Sequence, residues 1–208
     1  MDKNQEHLNN LSEIRSIMER STTFISLSGL SGISAGIIGL IASVYIYSRI
    51  DILLEHKREY ITSSAGLAET VTEFILTAAL VLILTFASAI FFTARKAKKR
   101  GLPVWDGSAK RLVSNLFIPL VTGGLFCLIL AYHGLFEFIA PSTLLFFGLA
   151  LLNAAKYTFG EIKILGISEI ILGLVSMYWT SLGLYFWAAG FGIFNILYGA
   201  YMYFKYEK

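Results

Sequence analysis

The stretch IILGLVSMYWTSLGLYFWAAGFGIFNILYGAYMYF, residues Ile170 to Phe204, contains no Asp, Glu, Lys or Arg in 35 positions. One membrane crossing takes about 20 apolar residues at 1.5 Å of rise each. A run of this length therefore predicts two helices folded back on each other. The break falls at Trp179-Thr180-Ser181-Leu182-Gly183, a short turn-prone stretch. The pattern repeats upstream: Ser21 to Ser48, Phe74 to Ala94, Leu112 to Phe136 and Phe138 to Ala155 are likewise free of Asp, Glu, Lys and Arg.

These runs predict six spans, at roughly 24–47, 69–93, 112–132, 137–156, 162–179 and 183–204. Lipid offers no hydrogen-bond partners, so each span must satisfy its own backbone; solid apolar blocks answer that as helices, whereas a β-barrel would show alternating residues. The expected class is all-α, a polytopic bundle preceded by a cytoplasmic amphipathic segment at residues 1–22. The first block is too long, and follows too many polar residues, to read as a cleaved signal peptide.

Composition agrees. Of 208 residues, 56% are hydrophobic and 15% charged, and mean hydropathy is +0.67. Soluble domains carry about 25% charged residues. The balance excludes a disordered chain, a disulfide-stapled secreted module and an ordinary soluble enzyme.

Charge sets orientation. Seven cations, Arg95, Lys96, Lys98, Lys99, Arg100, Lys110 and Arg111, follow the second span. Lys3, Arg15, Arg20, Lys156, Lys163, Lys205 and Lys208 fall on the same side, against Arg49, Lys57 and Arg58 on the other. Positive charge stays inside, so both termini are expected in the cytoplasm of a bacterial cell, with the chain in the inner membrane. The basic loop 94–111 reads as a topology determinant resting on anionic lipid. It lacks the interleaved stacking aromatics that a nucleic-acid surface uses, so nucleic acid is not an expected partner.

Residues 1–20 place Leu8, Leu11, Ile14, Ile17 and Met18 at helical spacing, with Asn10 and Glu13 as a candidate cap pair. Such a helix would lie on the inner leaflet or dock a cytoplasmic partner. In the first span, Gly29, Gly32, Gly36, Gly39 and Ser43 fall on one helical stripe. Small residues let helices approach closely. The stripe suits packing within the chain, and also packing between copies in a homo-oligomer or against another membrane protein.

Ionisable residues inside a span are costly and mark candidate sites. Glu169 stands near the middle of the fifth span, with Gly166, Gly173 and Ser176 on its face; Asn195 has Gly192 and Gly199 on its own. Glu169 and Asn195 are expected to meet across the last hairpin, with Asn153 as a third member. A protonated Glu169 could then donate to the Asn195 side chain. This grouping reads either as a proton-linked or ligand-binding site or as an interhelical hydrogen bond. His133 and Glu137, four apart around an outer turn, form a candidate interfacial pair. Glu69 and Glu73 are expected to open the second helix, where negative charge suits the dipole. Pro119 is a candidate kink, and Cys127, the single cysteine, a small apolar filler.

No cofactor or metal is expected. Glu55, His56 and Glu59 read as a charged helix face rather than metal ligands, and the three histidines, His7, His56 and His133, are too scattered to form a multi-His centre. The sequence contains neither a phosphate-loop motif nor a nucleophile elbow. The expectation is a non-enzymatic membrane protein with an accessory, stress-response or assembly role. The alternatives are a small proton-linked transporter or channel, and a sensor recruiting a partner through residues 1–20.

LSEIRSIMERST (Leu11–Thr22), IPLVTGGLFCLILAYHG (Ile118–Gly134) and YFKYEK (Tyr203–Lys208) resemble a group of small multi-pass bacterial inner-membrane proteins, some of them labelled carotene monooxygenases. The resemblance implies the membrane architecture and no particular activity. Carotenoid-cleaving oxygenases hold iron through four histidines, and this chain has three, so that label is rejected. A second stretch, ILGISEIILGLVSMYWTSLGLYFWAAGFGIFNILYGAYMYFKY (Ile164–Tyr206), is similar to the glycine-punctuated hairpins of bacterial acid-resistance membrane proteins.

Overall fold

The computed structural model describes residues 28–56, 64–101, 105 and 107–208, with side chains over 28–49, 71–101, 105 and 107–208. The amphipathic segment expected at 1–22, and the side chains of Glu55, His56, Glu59 and Glu69, lie outside these. The described residues form helices and no strand. Helix α1 spans Gly29–His56, α2 Ser64–Lys99, α3 Gly107–Tyr132, α4 Ile139–Ala154 and α5 Glu161–Tyr178. The last run starts with a 3-10 turn at Thr180–Leu182. It continues through α6 (Gly183–Trp187), a π-helical stretch (Ala188–Phe194) and α7 (Asn195–Tyr206). Five of these six runs are long and apolar enough to cross a membrane; the exception is Glu161–Tyr178, which carries Glu161, Lys163 and Glu169.

The segment after the first span, expected as a short interfacial helix or as an extension of the spans, extends them, α1 running to His56 and α2 starting at Ser64. Glu73 therefore lies inside α2 rather than opening it. Its carboxylate pairs bidentately with Arg49, at 2.7 Å for both bonds, and accepts from Tyr45 Oη at 3.1 Å. A planar guanidinium matches a carboxylate in this way. Helix α3 ends at Tyr132 and is closed by Gly134, whose φ of +73° is open to glycine at little cost. There Gly134 N–H donates to Ala131 O and Leu135 N–H to Leu130 O, the paired closure of a helix C-terminus.

Helix α3 continues through Pro119. Proline has no N–H, so the carbonyl four residues back, Asn115 O, loses its helical donor. Asn153 of α4 supplies one, its Nδ2 standing 2.8 Å away.

The most extensive packing joins α4 to α5 and α3 to α4, with α1 seated between α2 and the last run. The start of α1 meets the ends of α2 and α7. Glu207 accepts from Gly29 N–H and from Ser28 Oγ, and it pairs with the nearly buried Lys96 at 3.2 Å. Arg100 donates to Tyr206 O. The start of α5 meets the same end, where Glu161 accepts from Tyr206 Oη at 2.8 Å and pairs with Lys205. Ser28 and Glu207 thus share one end of the bundle.

The polarity of the bundle is inverted relative to a soluble protein. Buried positions include Ser142, Ser176, Glu169 and Asn195, alongside Leu144, Ala150, Ala154 and Met202. Exposed positions include Ile83, Ile90, Ile118, Ile129, Ile164, Leu197 and Phe204. Ring-bearing polar residues gather at the two ends. Tyr132, Tyr178, Trp179 and Tyr185 stand exposed at one, and Trp105 and Tyr201 near the other.

Candidate functional site

Two glycine seams hold the bundle. In the first, the α1 stripe faces the last run. A Cβ on Gly29 would stand 2.5 Å from Gly199 O, one on Gly36 2.6 Å from Gly192 O, and one on Gly39 2.7 Å from Phe191 O. One on Gly32 would stand 2.9 Å from Gly199 Cα. These neighbours are backbone atoms that cannot rotate away, so α1 sits as close to the last run as helices can.

In the second seam, α4 and α5 meet through Gly148 and Gly166, each facing the other's carbonyl oxygen, and through Gly173 against Pro141 and Leu145. The buried face of α5 carries Gly166, Glu169, Gly173 and Ser176. Spacings of three and four residues put these on one stripe. The last run closes over it. A Cβ on Gly190 would lie 2.4 Å from Glu169 Oε2 and 2.5 Å from a Leu144 methyl. A side chain at 190 would displace the carboxyl from this position.

Glu169 is fully buried, and neither of its carboxyl oxygens has a hydrogen-bond partner. The hydroxyls of Ser142 and Ser176 are also fully buried and unpartnered. Leaving a buried polar group unsatisfied costs about 1–3 kcal/mol, and more for a charge. Three such groups on adjoining faces of α4 and α5 are therefore a costly arrangement. Ser176 lies seven residues beyond Glu169, roughly 10 Å along α5.

The expected direct contact between Glu169 and Asn195 does not form. Asn195 Nδ2 donates to Gly190 O at 3.1 Å. The π-helical turn brings residue 190 beneath residue 195, so the amide is occupied one turn away. Glu169 and Asn195 converge on Gly190 from different sides. Asn153 does not join them, because it serves the carbonyl freed by Pro119.

The outer pair also differs from expectation. His133 packs edge-on against Tyr132, at 5.4 Å between centroids. Glu137 accepts instead from Thr180 Oγ1 at 3.3 Å, tying the turn before α4 to the turn after α5. Cys127 is a free, half-buried thiol. Among the described residues, no group of three or more His, Cys, Asp or Glu could hold a metal ion.

Reading the sequence did not anticipate the π-helical stretch, the Gly190 contact or the Lys96–Glu207 pair. The sequence does carry an internal echo at an offset of 44, Phe147-Gly148 with Phe191-Gly192; at that offset the Phe147 and Phe191 rings meet, tilted, at 4.8 Å between centroids, and Trp187 Nε1 donates to Thr143 Oγ1 at 3.1 Å. Set against protein-family models, curated proteins and solved structures, the chain matches none.

Proposed function

We propose that this chain is a six-span protein of the bacterial inner membrane, with both termini in the cytoplasm and a non-enzymatic role as an accessory, stress-response or assembly component. The inverted polarity of the bundle carries this reading. Ile, Leu and Phe face outward along the helices while Glu169, Ser142, Ser176 and Asn195 are buried, the arrangement that hydrocarbon favours and water does not. Tyr and Trp near the helix ends suit the two headgroup regions. The exposed cations Arg95, Lys98, Lys99, Arg100, Lys110 and Arg111 form a rim for anionic lipid.

Helix α5 fits a span despite its three ionisable residues. Glu161 stands at its mouth, and Glu169 faces helices rather than lipid. Reporter fusions at positions 2 and 208 test the topology: a cytoplasmic reporter should be active at both. Activity at only one position, or recovery of the chain in the soluble fraction without detergent, refutes the reading. Robust turnover of a lipid or isoprenoid by the purified protein refutes its non-enzymatic part.

A second reading, a small proton-linked transporter with its site at Glu169, is favoured by one observation: both carboxyl oxygens are buried and unpartnered. Liposomes containing the protein should then show pH-driven flux that Glu169→Gln abolishes. Equal flux in that variant removes the residue from the role.

A further inference from the structure

We infer that Glu169 is a proton-binding site whose occupancy sets the position of the π-helical stretch Ala188–Phe194 against α5. The inference rests on the six-span reading and needs no transport.

Three features converge. First, the carboxyl is fully enclosed by protein. Gly190 and Leu144 close on it, Leu172 lies beside the same glycine, and both oxygens lack a donor. This packing suits the neutral acid, because an ionised carboxylate here would have no compensating group. Second, the amide that converges on the same glycine is not engaged with it: Asn195 Nδ2 is committed to Gly190 O. Third, the wall against Glu169 is the irregular part of the last run. Seven residues, Ala188–Phe194, are π-helical between two α-helical segments. Such stretches carry one residue more per turn, and they recur at functional sites. Gly190 and Gly192, both within it, let the backbone approach Glu169 on one side and Leu40 of α1 on the other.

The groups facing Glu169 are few. From α4 comes Leu144, from the last run Gly190, and from α5 itself Leu172. The nearest titratable residue on α5 is Lys163, six residues away, roughly 9 Å, and exposed; Glu161, two residues further, is paired with Lys205. From the last run, Tyr198 lies a turn beyond Asn195, its hydroxyl buried and unpartnered. Among the described residues, no charged side chain is placed to compensate a carboxylate at 169. Loss of the proton therefore favours any conformation that admits water or turns the Asn195 amide toward the carboxylate. The stretch that must yield is the one in contact with it. A proton bound only in the closed packing then shifts the population between the two.

The test uses the full-length protein in liposomes of phosphatidylethanolamine and phosphatidylglycerol. With Cys127→Ala as background, spin labels are placed at Ile171 of α5 and Ile193 of the π-helical stretch, both exposed. Their separation is measured from pH 5 to pH 10. Infrared spectra over the same range follow the carboxylic-acid C=O band.

The inference expects the acid band to disappear and the mean separation to shift by about 2 Å, the scale of helix shifts in switching proteins, both with one midpoint. Glu169→Gln should remove that acid band and hold the acid-form separation at every pH. Gly190→Ala, which puts a methyl where the carboxyl lies, should give the alkaline separation even at pH 5. The inference is overturned by a pH-independent separation in the parent, or by the same transition in Glu169→Gln. If Glu169→Gln fails to reconstitute, Glu169→Asp must move the midpoint, and an unmoved midpoint rejects the site. Failure to enter liposomes at all would instead reject the six-span reading.

Discussion

Helix α1 meets the last run through Gly29, Gly32, Gly36 and Gly39 against Gly192 and Gly199, whereas α5 meets its neighbours through Gly148, Gly166, Gly173 and Gly190. Both seams bring backbones together by omitting side chains. In the first, the polar hydroxyl on the stripe, Ser43 Oγ, is satisfied by Gly39 O at 2.7 Å. In the second, the space left by glycine is filled at Gly190 by a carboxyl that nothing satisfies. Close packing alone explains the first seam. It does not explain the second, where a leucine in place of Glu169 would avoid the cost of a bare polar group. The contrast separates adhesion from chemistry within one fold.

The largest expected effect falls on the first seam. Gly36→Leu drives a side chain into Ile196 and Gly192 O and should destabilise the bundle by about 3 kcal/mol or more, since overpacking a dense interface costs 1–3 kcal/mol even for modest insertions. Size-exclusion chromatography in mild detergent should show loss of the monodisperse peak. A wild-type profile would mean that α1 and the last run are not seated as described.

Asn153→Leu comes next. It strands Asn115 O and should cost about 1–3 kcal/mol, read as a lowered thermal midpoint. Pro119→Ala restores the helical N–H, so the double variant should recover most of that loss. Simple additivity of the two changes would show that the Asn153 bond does not serve the freed carbonyl.

Glu169→Gln should behave differently from both. It removes no hydrogen bond, so its thermal midpoint at pH 7 should equal or exceed that of the wild type, by about 1 kcal/mol at most. A large loss would reveal a partner for the carboxyl and make the two seams alike.

The smallest effect lies where the start of α5 meets the end of α7, outside both seams. Burial acts to raise the Glu161 carboxyl, but hydrogen bonds from Lys205, its own backbone N–H and Tyr206 outweigh this and hold it below its ordinary value of 4.5. A depressed carboxylate contributes stability that is present above pH 4.5 and is lost as pH falls through the folded-state value. Lys205→Ala should flatten the acid limb of a stability–pH curve by lowering its neutral-pH plateau slightly, a small effect because Lys205 is exposed, while leaving stability at the acid end unchanged. An unaltered acid limb would show that the pair is not formed in solution.

The six helical runs were legible because uncharged length is a local property. The α1 stripe was legible for the same reason, since a spacing of three and four residues is written along one helix. Its partner was not, because Gly192 and Gly199 lie more than 150 positions away and small residues say only that something comes close. Asn153 was placed with Glu169 on polarity alone. Pro119 advertises a freed carbonyl at Asn115, but which side chain reaches it depends on how α3 and α4 cross. The π-helical stretch has no sequence signature beyond Ala188, Ala189, Gly190 and Gly192, small residues that tolerate many geometries. Glu69 and Glu73 misled because their charge suits a helix start, while Arg49 gives Glu73 a stronger reason to be where it is.

The cap on α1 has a temporal consequence. Gly29 N–H is served by Glu207, 178 residues later. At about 5–20 residues per second of synthesis, the first helix waits roughly 10–35 s between leaving the ribosome and receiving that carboxylate. The glycines that will seat the last run stay unmatched over nearly the same interval. On the six-span reading, the opening hairpin is during biogenesis a client of lipid or of the insertion machinery, and it becomes a committed part of the fold only when the final hairpin arrives.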